Sequence, residues 1–142
     1  MKWKKKFGEK KIHEFRRSWN IKPDPLNKNN HYHPINIETY KDLSKENIPD
    51  TESLEDTYNR VIPYYKSNIE NKLIENKNIL VVAHGNSIRS LCKYLFDISD
   101  QEISKLEIPT GNPLILEFDG NIKLLRAKYL DKERAKDLLK FS

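Results

Sequence analysis

Two patches of this sequence carry residue types that could handle an anion. The first is Ala83-His84-Gly85-Asn86-Ser87-Ile88-Arg89, and the second is the adjacent pair Arg16-Arg17. His84 follows the apolar run Ile79-Leu80-Val81-Val82-Ala83, and Gly85 gives a turn into a segment with Ile88, Leu91, Cys92 and Leu95 at helical spacing. A strand, a turn and a helix in that order set backbone N–H groups and a positive helix end above the carboxyl edge of a sheet, where α/β proteins bind anions. An imidazole there can meet a phosphate group; the competing reading is a histidine that caps a strand and bonds a backbone carbonyl. Adjacent arginines on a helix point about 100° apart, so one of them is ordinarily solvated. The functional alternative for Arg16 and Arg17 is two guanidinium forks converging on one phosphate. His31-Tyr32-His33 has two imidazoles two residues apart but no acidic or cysteine partner close by, so no metal is expected. Cys92 falls on the apolar side of its helix with no electropositive setting, which reads as core filling rather than a nucleophile.

These residues need elements to position them. Five apolar, mostly β-branched residues at 79–83 predict a strand buried on both faces, since such a strand shows no alternation. Residues 2–20 predict helix, with Trp3, Phe7, Phe15 and Trp19 at multiples of four and a break at Gly8. Pro23 to Pro49 lacks periodicity and reads as a long irregular loop. Asp50 or Thr51 offers a cap for an amphipathic helix through Leu73, with Pro63 expected to kink it. Ser99-Asp100-Gln101-Glu102 is a capping box for a short helix through Leu106. After the rigid turn 108–113 come a strand at 114–118, a turn at Asp119-Gly120, a partner strand at 122–130, and a terminal helix at 131–140 with Asp131 as its cap. That makes an α/β chain with too few strands for a strand such as 79–83, so the pattern reads as part of a sheet.

The bulk properties narrow the classes. A chain of 142 residues with 33% charged and 37% hydrophobic residues suits one soluble domain. No apolar run approaches the roughly 20 residues that span a bilayer, and no apolar segment follows the basic start, so neither a membrane span nor a signal peptide is expected. One cysteine suits a reducing cytoplasm. The net charge of +5 admits nucleic acid, a membrane surface or a small anionic substrate. Zinc-ligand spacing, RNP-like motifs and glycine-rich arms are all lacking, which argues against nucleic acid.

Taken together, Phe15-Arg16-Arg17-Ser18-Trp19, Asp50-Thr51-Glu52-Ser53-Leu54, Arg60-Val61-Ile62-Pro63-Tyr64, Ala83-His84-Gly85-Asn86-Ser87-Ile88-Arg89 and Ile108-Pro109-Thr110-Gly111-Asn112-Pro113-Leu114 come in one family's order and near its spacing. The sequence resembles the 2,3-bisphosphoglycerate-dependent phosphoglycerate mutases of the histidine phosphatase superfamily. The resemblance implies a partial three-layer fold, a sheet flanked by helices, with residues 1–142 as the C-terminal part of a single domain that lacks the N-terminal strands. It implies interconversion of 2- and 3-phosphoglycerate in glycolysis and gluconeogenesis through a phosphohistidine, primed by 2,3-bisphosphoglycerate and without a metal.

Roles follow residue by residue. His84 matches the family's second active-site histidine, which stabilises the transferring phosphoryl group. Gly85 and Asn86 match the turn that holds substrate oxygens, and Arg16 and Arg17 match the pair that grips the phosphate and carboxylate end. The expected partners are small phosphoglycerates, with neither nucleic acid nor membrane, and homo-oligomers of the complete protein. One departure matters. The family's nucleophile lies in Arg-His-Gly and its acid is a glutamate in the same early part, whereas here His84-Gly85 follows Ala83. The polypeptide 1–142 is therefore expected to be inactive alone. The alternative is a non-catalytic chain that binds phosphorylated acids weakly or complements another polypeptide.

Overall fold

A computed structural model describes residues 2–135, with side chains over 8–135. The chain divides into two compact units, residues 1–56 and 57–142.

The first unit opens with helix α1, Lys2–Arg17, broken at Gly8 (φ 74°, ψ 160°). Glycine adopts a positive φ without the steric cost of a Cβ, so the break falls where the sequence predicts it. Beyond Arg17 the chain runs alongside its own later segment. The N–H of Glu55 donates to the Trp19 carbonyl at 2.9 Å and that of Leu26 to the Asp50 carbonyl at 2.9 Å. Between these, the Thr51 hydroxyl donates to the Pro23 carbonyl at 2.7 Å, and Lys22 meets Asp56 at 3.0 Å. The enclosed stretch is the expected irregular loop, organised only by the 3-10 turns Pro34–Asn36, Glu38–Tyr40 and Lys45–Asn47. His33 holds it. Its side chain is fully buried, Nδ1 accepts the Ile35 N–H at 3.1 Å, and Nε2 lies 3.1 Å from the Asp50 carboxylate. With Nδ1 accepting, the ring proton sits on Nε2 and donates to Asp50.

Helix α2, Leu54–Tyr64, is capped by Ser53 and not by Asp50 or Thr51 as expected. The Asp56 N–H donates to Ser53 Oγ at 3.1 Å, and the Asp56 carboxylate accepts the Ser53 N–H at 2.8 Å. The correction has a simple cause: the Asp50 carboxylate is taken by His33 and the Thr51 hydroxyl by Pro23. The Ser53 N–H bond, with Lys22 and the Ser53 hydroxyl, holds the Asp56 carboxyl down to about 2.

Pro63 acts on α2 as expected. Proline lacks the N–H for the helical bond and crowds the preceding turn. The helix widens into a π-helix, Tyr65–Glu70, where Ser67 Oγ donates to the Pro63 carbonyl at 2.8 Å, and it ends as α3, Asn71–Ile74. Helix α4 spans Gly85–Leu95. The second unit buries Ile62, Tyr65, Cys92, Ile98, Ile103, Leu106 and Tyr129. Burial lifts the Cys92 thiol to about 12, which fits core filling. One capping-box bond forms, the Glu102 N–H donating to Ser99 Oγ at 3.2 Å, and the Ser99 hydroxyl donates to Glu102 Oε2 at 2.9 Å. The expected helix there is only the 3-10 turn Ile103–Lys105, which stops where Leu106 takes extended backbone (φ −73°, ψ 114°).

Strands β1 (Leu114–Phe118) and β2 (Leu124–Tyr129) pair antiparallel, with a register shift between Glu117 and Phe118. The turn is pinned by Asp119, whose carboxylate accepts the N–H groups of Asn121 at 2.9 Å and Lys123 at 2.8 Å. Arg126 grips Glu117 across the pair at 2.7 Å, and that contact lowers the Glu117 carboxyl. This hairpin is the one sheet among the described residues.

The largest departure is at 79–83. The buried strand expected there does not form. Leu80 is 87% exposed and Val82 88%, and no described residue pairs with this segment as a strand. A strand needs a neighbouring backbone to satisfy its N–H and C=O groups, and β1 and β2 satisfy each other. Residues 131–135 form bends and a turn, in which the Asp131 carboxylate accepts the N–H groups of Glu133 and Arg134 as a cap would. The rest of the expected terminal helix, like the side chains of Trp3 and Phe7, lies outside the described residues.

Candidate anion-binding site

His84 is the N-cap of α4. Its backbone is extended (φ −64°, ψ 149°), and its carbonyl accepts the first helical bond, from the Ile88 N–H at 3.1 Å. Its imidazole Nδ1 accepts the Asn86 N–H at 3.4 Å, a long contact. An accepting Nδ1 carries no proton, so the neutral ring holds its proton on Nε2 as an outward donor. The ring therefore caps the helix through a backbone N–H, not a strand through a backbone carbonyl.

The turn around it supplies further donors. The first N–H groups of a helix have no partner within it and sit at its positive end. Here His84 engages that of Asn86, while those of Gly85 and Ser87 remain outside the helix's own bonding. The Asn86 side-chain carbonyl accepts from Arg89 at 2.8 Å, which leaves its amide nitrogen as a donor. Gly85 shows no positive φ, and an added Cβ would meet nothing within 4 Å. The fold itself therefore has room for a side chain at this position.

Arg89 positions this turn, and sequence reasoning passed over it. It is 5% exposed, and its guanidinium bridges the Asn86 side chain and the Leu106 carbonyl, the latter at 2.9 Å. The available signal was a permanent charge between Ile88 and Cys92 on the apolar side of an amphipathic helix. Such a charge is buried only when its donors are used.

Arg16 and Arg17 close α1 in the first unit, where cations oppose the helix's negative end. With Glu9, Lys10, Ile12 and His13 they line an open groove of about 450 Å³. Both arginines thus border one groove. Arg16 and Arg17 lie in the first unit, and His84, Gly85 and Asn86 in the second. His33 is engaged by Asp50, and the His31 ring lies 3.7 Å from that of Tyr32. No group of three or more metal-ligating side chains occurs among the described residues. No helix among them is long and apolar enough to cross a membrane.

Residues 24–129 match the histidine phosphatase superfamily (branch 1). Proteins named 2,3-bisphosphoglycerate-dependent phosphoglycerate mutase are similar across nearly the whole chain. The one from Pelagibacter ubique is 62% identical over 138 residues, 97% of this chain and 58% of that protein. Those from Buchnera aphidicola and Maricaulis maris are 50% and 43% identical, over 91% and 94% of this chain and 56% and 55% of their own length. The chain thus spans little more than half the length of the curated relatives it matches.

Proposed function

The chain belongs to the histidine phosphatase superfamily, and from that premise we propose that it is the phosphoryl-stabilising part of a 2,3-bisphosphoglycerate-dependent phosphoglycerate mutase, one portion of a single domain. The observation that carries this reading is the His84 cap, an exposed imidazole at the positive end of α4 whose Nδ1 accepts the Asn86 N–H, a bond that does not use Nε2. His84 donates to the phosphoryl group as charge develops on it, and the Gly85 and Asn86 turn supplies fixed donors to its oxygens. Arg16 and Arg17 grip the phosphate and carboxylate of the substrate. The chain's donors are cations and outward N–H groups, which fits a polyanion such as 2,3-bisphosphoglycerate. When bound, that compound supplies the phosphoryl group that primes the reaction. The nucleophilic histidine and the acid have no counterpart in residues 1–142, and the reading assigns them to other polypeptide. Soluble phosphoglycerates as substrates put the protein in the cytoplasm, and complete chains assemble into homo-oligomers on this reading.

The test has two arms. Residues 1–142 alone are assayed on 3-phosphoglycerate with added 2,3-bisphosphoglycerate, and then together with a polypeptide that supplies an Arg-His-Gly strand. We expect turnover only in the second. Activity of 1–142 alone within about tenfold of that mixture overturns the reading. In the active mixture His84→Ala should lower kcat by about 10²–10³, roughly 2.7–4 kcal/mol, because it removes a preorganised donor. Arg17→Ala should raise KM at least as much as it lowers kcat, because it removes a ground-state clamp. A folded His84→Ala variant with kcat within about twofold reduces His84 to a helix cap.

A second reading is favoured by the exposed apolar segment 79–83: this is a chain that complements another polypeptide by accepting a strand there. Val82→Asp should then leave the stability of 1–142 within about 0.5 kcal/mol yet abolish the complementation. Complementation that survives Val82→Asp sinks this version.

A further inference from the structure

Arg89 is a buried permanent charge three positions beyond Asn86 on α4, and it does more than hold the turn in place. Its Nη1 donates to Asn86 Oδ1 at 2.8 Å and its Nε–H to the Leu106 carbonyl at 2.9 Å. An asparagine amide has an accepting end and a donating end, which change places when the group turns over, and only its neighbours choose between them. A guanidinium carries donors and no acceptor, so on its side Arg89 admits the oxygen alone. The Leu106 bond ties the same guanidinium to backbone outside α4, which keeps it from following the amide. On Asn86 itself, the main-chain N–H is engaged by His84 Nδ1 at 3.4 Å. The side-chain nitrogen is then the donor that this half-buried residue has left for a ligand.

We propose that Arg89 is a positioning residue that makes the His84–Asn86 turn select oxyanions, by fixing the Asn86 amide with its nitrogen as the ligand's donor. The proposal rests on the reading of that turn as a phosphoryl site. An amide free to turn over would meet a phosphate oxygen with its own oxygen part of the time, and two acceptors form no bond. Losing one oriented hydrogen bond to a charged ligand weakens binding by about tenfold. Arg89→Lys separates position from charge. Lysine stays positive but gathers its donors on one ammonium nitrogen, a bond short of Nη1, in place of the planar fork.

The test is proton–nitrogen correlation NMR of residues 1–142 titrated with 3-phosphoglycerate at constant pH and ionic strength. The unsubstituted chain is compared with Arg89→Lys, Asn86→Ala and the double variant. The Gly85 and Ser87 amides and the Asn86 side-chain amide report this turn separately from Arg16 and Arg17. We expect all three to shift in the unsubstituted chain. Arg89→Lys and Asn86→Ala should each weaken the binding read at Gly85 by about tenfold. The double variant should lose no more than the larger single effect, because Arg89 then has no amide to position. Losses that multiply in the double variant overturn the proposal, as does an Arg89→Lys chain that binds within about twofold of the unsubstituted one. Asn86→Asp decides the matter if Arg89→Lys does not fold. It keeps an oxygen for Arg89 and puts a second oxygen where the nitrogen was, so it should stay folded and lose the shifts at Gly85 and Ser87; retained binding overturns the proposal. Shifts at Gly85 and Ser87 with an unmoved Asn86 side chain sink the proposal and keep the phosphoryl reading. An unsubstituted chain in which none of the three moves sinks that reading and this inference with it.

Discussion

Residues 79–83 and 114–118 are alike as sequence, each a short run rich in branched apolar side chains, and the molecule treats them differently. The second becomes β1, with its partner β2 returning after a turn that Asp119 holds. The first stays outside any described sheet with Leu80 and Val82 in water. The difference teaches that a strand-forming sequence is only half of a strand. A hairpin brings its own partner within a few residues, whereas a strand that ends in a helix turn must find its neighbours at long range. The same contrast separates the two halves of the chemistry. The His84 cap is complete in local bonds to Asn86 and Ile88, while the apolar stretch that would carry it into a sheet is not.

The sharpest way to break this comparison is truncation at both places. Tyr129, at the end of β2, is 3% exposed and its hydroxyl donates to the Glu107 carbonyl at 3.3 Å. Tyr129→Ala should cost about 3–5 kcal/mol, while Val82→Ala should cost under about 0.5 kcal/mol, both by urea denaturation of residues 1–142. Comparable losses would show that 79–83 is buried in solution. A finer probe removes the turn. Asp119→Ala deprives two N–H groups of their acceptor and should cost about 1–2 kcal/mol. Hydrogen exchange should speed up over 124–129 and stay fast and unchanged over 79–83; slow exchange at 79–83 in the unsubstituted chain would mean that it pairs after all.

The smallest effect is on pH, and it sets the background for both measurements. The Asp56 carboxyl is held at about 2 against an ordinary 3.8, chiefly by the Ser53 N–H. A depressed acid stabilises the fold above its unfolded value and loses that contribution as pH falls from 3.8 towards 2. Its side chain is 40% exposed, so solvent screening trims the contribution to about 1 kcal/mol or less. Asp56→Asn should remove that portion of the acid loss and leave the difference between Tyr129→Ala and Val82→Ala intact. A gap that closes with pH in Asp56→Asn would tie the two regions to a common titration.

What the sequence settled by itself is what neighbouring residues decide. Gly8 breaks α1, Pro63 disturbs the helix that begins at Leu54, His84 and Gly85 open α4, Asp119 turns the hairpin, and Cys92 faces inward. Each depends on the backbone freedom of one residue type, or on partners a few positions away, and those are visible in a string of letters. The order of the motifs also identified the superfamily. What only the tertiary structure decided are the competitions among distant groups. Asp50 and Ser53 are comparable caps on paper. The cap passed to Ser53 because His33, seventeen positions before Asp50 and fully buried, had claimed the carboxylate. Arg89 shows in the sequence as a charge on the apolar side of its helix, but its anchor does not, because the Leu106 carbonyl that accepts its Nε–H lies seventeen residues on. Residues 79–83 were misread for the same reason in reverse. Their composition specifies a buried strand, but burial depends on a backbone that must be present to pair with them, and side-chain type cannot supply it.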